Sequence, residues 1–82
     1  MSEKALFIGS LDDAGHLMVD GSPNVFIENL KACTIGSRDS NGDEMVTASW
    51  NIFINNLPAC AVKNRDSNNN VKTTGAASVL YN

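Results

Sequence analysis

Apolar residues fall in runs of three, Val25-Phe26-Ile27, Ile52-Phe53-Ile54 and Val79-Leu80-Tyr81, each 27 residues from the next. Such β-branched and aromatic runs predict short strands. Glu28-Asn29 and Asn55-Asn56 follow the first two. A two-residue hairpin turn demands pairs of this kind, because Asn tolerates positive φ. A second strand is predicted over residues 30–35, 57–62 and 3–8. A polar turn comes next, Asp39-Ser40-Asn41-Gly42-Asp43, Asp66-Ser67-Asn68-Asn69-Asn70 or Asp12-Asp13-Ala14-Gly15-His16. A third short strand is expected around residues 17–19, 44–47 and 71–74. No segment keeps a 3.6-residue apolar period, and Gly and Asn recur, so helices are not expected. Three such units predict roughly nine strands in all.

The period extends to the whole chain: three times 27 is 81 of its 82 residues. Residues 21–41 and 48–68 are identical at twelve of twenty-one positions. The third copy is split, with Gly75-Ala76-Ala77-Ser78-Val79-Leu80-Tyr81-Asn82 matching the opening of the unit and Lys4 to Asp13 its later part. Tyr81-Asn82 should therefore pair with Met1-Ser2-Glu3, closing a sheet whose free edges would otherwise invite aggregation. The expected architecture is all-β, a pseudo-threefold closed cone or pyramid of short antiparallel strands. It forms a single domain over residues 1–82, with units 21–47, 48–74 and 75–82 plus 1–20. The unit is too short for a propeller blade, which needs about 40 residues.

A chain of this length buries only about 60% of its unfolded surface, so it calls for a partner, a metal or a very regular sheet. A net charge of −3 and a pI near 4.7 argue against nucleic acid, which requires a basic stripe. The few scattered Lys and Arg argue equally against an anionic membrane surface. No apolar run reaches the ~18 residues of a membrane span, and the short apolar stretch after Met1-Ser2-Glu3-Lys4 does not read as a secretory signal. Cys33 and Cys60 are one repeat apart, with Leu6 in the same column. A position that accepts Leu or Cys reads as a small buried apolar site with inert thiols, the alternatives being a disulfide or a metal role.

The stretch from Gly21 to Ser37, Gly-Ser-Pro-Asn-Val-Phe-Ile-Glu-Asn-Leu-Lys-Ala-Cys-Thr-Ile-Gly-Ser, resembles the PAAR-repeat proteins. In that family a Gly-Ser-x-Thr-Val-x-Ile-Asn-Gly run leads into Pro-Ala-Ala-Arg-Val-Gly-Asp. Ile54-Asn55-Asn56-Leu57-Pro58-Ala59-Cys60-Ala61-Val62 repeats the likeness, and Ile8-Gly9-Ser10 is similar to a third Val-Gly-Asp segment. The family arginine is replaced by Thr34, Ala61 and Phe7, and its aspartate by Ser37, Asn64 and Ser10; only Pro58 keeps the proline. The chain thus looks like a divergent, PAAR-like member.

The resemblance implies a conical cap on the trimeric β-helical spike of type VI secretion systems and contractile phage tails, one tip per trimer. It implies a base that binds the blunt spike end and a vertex that meets the target cell envelope first. With the repeats filling the chain, the expectation is a bare, non-enzymatic tip in a phage virion baseplate rather than a secretion system, assembled in the host cytoplasm.

Family members often hold zinc near the vertex with three His and one Cys. Here only His16, and no Cys, lies in the corresponding turns, so that ligand set is not reproduced. The columns suggest a different centre. Asp12, Asp39 and Asp66 form one, and His16, Asp43 and Asn70 another, with Asn41 and Asn68 between. Two layers of three such ligands suit an octahedral metal ion, His16 and Asp43 being the first candidates. The alternative is that Asp, Ser, Asn and Gly are there because turns need them.

Arg38 and Arg65 are expected to pair with carboxylates across units. Trp50, whose equivalents are the smaller Pro23 and Ala77, is the candidate anchor for the spike, with core or lateral surface as the other reading. No nucleophile–base pairing suggests an enzyme. The competing function is a small threefold carbohydrate- or calcium-binding β module, although no aromatic residue stands in the polar turns for a sugar to stack on.

Overall fold

The computed structural model describes residues 3–81. Met1, Ser2 and Asn82, which the repeat assigns to the paired chain ends, lie outside the described residues. The described residues form β1 (Glu3–Lys4), β2 (Phe26–Ile27), β3 (Leu30–Lys31), β4 (Ser49–Ile54), β5 (Leu57–Ala59) and β6 (Leu80–Tyr81), with no helix among them. The strands pair antiparallel as β2–β3, β4–β5 and β1–β6. The last pair joins the two ends of the described chain through Glu3↔Tyr81 and Lys4↔Leu80. The registers Phe26↔Lys31 and Phe53↔Pro58 are the same pairing 27 and 54 residues along.

Both predicted hairpin turns form. Glu28 and Asn29 have φ of 52° and 68°, Asn55 and Asn56 of 53° and 68°, the left-handed pair that lets two residues reverse a right-twisted ribbon. Inside each apolar run the side chains alternate, as the two-residue period of a strand requires. Ile27 and Ile54 are buried, whereas Phe26, Phe53 and Leu80 are 54%, 58% and 57% exposed.

The expectation of roughly nine strands needs correction. The second predicted strand keeps its hairpin partner for only two or three residues. The chain then passes to the neighbouring unit through single bridges, Ala5↔Ala61, Phe7↔Ala32 and Thr34↔Ala59. The third predicted strand is likewise a set of bridges, Leu11↔Leu17, Arg38↔Glu44 and Arg65↔Val71. Ladders stay short because each segment changes partner within a few residues.

Those exchanges recur at 27-residue steps. The Leu6 N–H donates to the Cys60 carbonyl (3.0 Å), Cys33 to Leu6 (3.0 Å) and Cys60 to Cys33 (3.1 Å), a closed ring of three bonds. Around it lie two buried clusters. Ala5, Ala32, Ala59 and Ala76 pack with Ile27 and Ile54, and Leu6, Cys33 and Cys60 with Met18, Met45 and Ala48. Small side chains dominate because the backbones approach closely. Both thiols are free and buried, and burial pushes each up to about 12. Thiols so seldom ionised are poor nucleophiles, in keeping with the core reading.

One column breaks its own backbone rule. Gly9 and Gly36 have φ of 96° and 86°, and their equivalent Lys63 has φ of 81°, where a Cβ is strained. The exposed ion pair of Lys63 with Glu3 (3.3 Å) offsets little of that strain. Lys63→Gly is expected to raise stability by about 0.5–1 kcal/mol in urea unfolding, the strain released exceeding the chain entropy that Gly adds to the unfolded state.

Candidate functional site: a lysine held by three aspartates

The three polar turns, residues 12–16, 39–43 and 66–70, share one construction. In each, the N–H of the first Asp donates to the carbonyl of the fifth residue (3.0, 2.9 and 3.1 Å). The Oδ1 of that Asp accepts two backbone N–H groups. These come from Ala14 and His16 (2.9 and 2.8 Å), Asn41 and Asp43 (2.9 and 3.0 Å), and Asn68 and Asn70 (3.0 and 2.9 Å). Short acidic side chains fold turns in this way, by taking up backbone donors that no strand satisfies. Gly15, Gly42 and Asn69 supply the positive φ (84°, 84° and 64°) that completes each loop.

The other oxygen of each carboxylate is turned to one point. Lys72 Nζ donates to Oδ2 of Asp12 (3.1 Å), Asp39 (3.2 Å) and Asp66 (2.9 Å). All four side chains are fully buried. An ammonium carries three N–H donors, and here each has its own carboxylate. The bridge Lys72↔Asp12, the equivalent of Met18↔Asp39 and Met45↔Asp66, aligns the lysine's strand segment with the first loop.

Burial by itself would raise the Asp12 and Asp66 carboxyls. The Lys72 ammonium and the N–H groups of their own loops outweigh it and hold both below the usual 3.8. Burial would likewise lower Lys72, and Asp66, Asp12 and Asp39 together raise it above 10.5. The depressed carboxyls contribute stability that is present above pH 3.8 and lost as pH falls through their folded values. The raised lysine contributes stability that is present below pH 10.5 and lost as pH rises through its own. Urea midpoints are expected to be flat from about pH 5 to 9 and to fall steeply below about pH 4.

Of the metal ligands expected from the sequence, the Asp12, Asp39 and Asp66 column converges, and the point it surrounds holds Lys72 Nζ. His16 Nδ1 lies 3.2 Å from Asp12 Oδ2. Asp43 Oδ2 accepts from Asn41 Nδ2 (3.1 Å), and Asn70 Nδ2 donates to Asp13 Oδ1 (3.3 Å). Among the described residues, Asn70 Oδ1 is buried with no hydrogen-bond partner. Ligand atoms come within 4.8 Å of one another in two sets, Asp12, His16 and Asp39, and Asp39, Asp43 and Asp66. Trp50 is not part of this cluster; it lies on β4, 64% exposed. Arg38 pairs with Glu44 (2.9 Å) inside its own unit rather than across units, and among the described residues Arg65 bonds the Asn69 carbonyl and side chain instead of a carboxylate.

Lys72 is the residue that column reasoning misses. Its equivalents are Met18 and Met45, both buried, so a lysine in that column is a charge placed in a core position. That mismatch, set beside three aspartates in register, was the available signal. What the arrangement does chemically is tie three loops, far apart in sequence, to one atom. No protein-family model matches this chain, and no curated protein matches it.

Proposed function

We propose that the chain is a non-enzymatic spike tip. In this reading it is a pseudo-threefold, tapering cap that closes the blunt end of a trimeric β-helical spike in a contractile injection machine, a phage baseplate before a secretion system, and helps pierce the target envelope. The observation that carries this is a repeated apolar surface. Phe26, Phe53 and Leu80 are equivalent positions, all more than half exposed, and Leu30 and Leu57 are exposed across the hairpin turns from them. A small soluble protein seldom exposes large apolar side chains in register unless something covers them.

Three copies of one patch suit three copies of one partner, and a trimer engaging all three multiplies each modest contact. The hairpin ends are then the base, with Trp50 on β4 as an added anchor. The polar turns bound to Lys72 are then the vertex. The PAAR-like order and spacing of the repeat supports the same reading.

The test is stoichiometry. The purified protein, mixed with a trimeric β-helical spike fragment encoded beside it, should form a complex of one tip per trimer by mass photometry or multi-angle light scattering. Three tips per trimer, or no complex, would overturn the assignment.

A further inference from the structure

Three buried carboxylates that meet at one point form a cation site, and in this chain the cation is covalently attached. We infer that Lys72 is the resident cation of a preformed oxygen cage that, once the ammonium is withdrawn, accepts a free divalent or small alkylammonium ion. This inference is independent of the spike partner.

The cage does not owe its shape to the lysine. Each Asp is fixed through Oδ1 by two backbone N–H groups of its own loop, so its Oδ2 stays aimed inward whatever lies between. Preorganised carboxylate oxygens of this kind are hard ligands, suited to calcium, magnesium or manganese rather than to soft metals. The charge count agrees: three carboxylates around one ammonium leave −2 in the cluster, and without the lysine the cage carries −3. In the loop of Asp66, Asn70 Oδ1 is also buried with no hydrogen-bond partner among the described residues.

The repeat adds an independent argument. The Lys72 column reads Met, Met, Lys, and the Asp column reads Asp, Asp, Asp. Three lysines would bring three ammonium groups to one point, and three methionines would leave the carboxylates with no cation. One lysine in three is the composition that fills a single central site. The loops are therefore tied together without a metal supply, and chelators should leave them intact.

The experiment compares the full-length protein with its Lys72→Ala variant by thermal unfolding at neutral pH. Each is titrated with calcium, magnesium, manganese and ethylammonium chlorides, with sodium chloride as the ionic-strength control. For Lys72→Ala, Tm should rise with the logarithm of the concentration of at least one of these cations. The gain should reach roughly 5 °C or more beyond the sodium control, and Asp39→Asn in the same background should abolish it.

The unsubstituted protein should shift by less than about 1 °C under the same titrations, because its cage is filled. A Lys72→Ala protein that responds to none of the four cations, or that stays unfolded in all of them, overturns the inference. So does stoichiometric binding of a divalent ion to the unsubstituted protein, measured calorimetrically, if Asp39→Asn removes it. That second measurement needs no lysine variant to fold.

Discussion

Lys72→Met should cost about 3–5 kcal/mol of stability at neutral pH, the range for removing one partner of a buried ion cluster. Methionine occupies the equivalent positions 18 and 45 and is buried at both, so the side chain itself suits the column. The loss is electrostatic: three buried carboxylates remain with their cation gone. Total stability of a domain this size is only about 4–12 kcal/mol, so the variant should lie near the edge of folding. Combining it with Asp12→Asn, Asp39→Asn and Asp66→Asn removes the uncompensated charge and should recover much of the loss. Urea unfolding followed by circular dichroism measures both. Equal stability of Lys72→Met and the parent would mean that the ammonium contributes nothing.

If the chain caps a spike as proposed, replacing Phe26, Phe53 and Leu80 together by Glu should weaken binding to the spike trimer encoded beside it at least ~100-fold while leaving the fold intact. Each is an exposed apolar side chain of the kind that dominates interface energies once covered, and three lost contacts act together. The strands should tolerate the change. Phe26 faces Lys31 across its pair and Leu80 faces Lys4, so a glutamate at either place gains an opposite-charge neighbour. Surface substitutions of this type shift stability by about 0.5 kcal/mol or less each. Calorimetric titration and a melting curve on the same sample separate the two effects. Retained affinity would rule out this apolar surface as the proposed docking face.

How much of this was legible in the sequence differs by feature, for physical reasons. The hairpin turns at Glu28-Asn29 and Asn55-Asn56 were readable because few residues accept positive φ. The pairing of Glu3 with Tyr81 was readable because the split copy leaves each end with half a hairpin. The core thiols followed from Leu6 sharing their column. Strand extents were not readable. Residues 30–35 have a continuous β pattern, yet the chain changes partner after Lys31, and local propensity carries no record of which neighbour a residue bonds. The aspartate column reads either as plain turns or as metal ligands; in the structure each Asp uses Oδ1 to fold its turn and Oδ2 to accept from Lys72. Lys72 escaped because a single lysine among polar residues reads as solvent-facing until its column is compared with Met18 and Met45.

The pairing of β1 with β6 has a kinetic side. Glu3 cannot meet Tyr81, nor Asp12 meet Lys72, until nearly the whole chain is available. The unit they complete therefore stays open until Lys72 and Tyr81 have both been synthesised. Closing contacts of such long sequence separation is entropically slow, and the molecule is expected to fold late and in one cooperative step. A chain interrupted before Lys72 would lack both the cation and β6, the partner of β1, so premature fragments should remain unfolded.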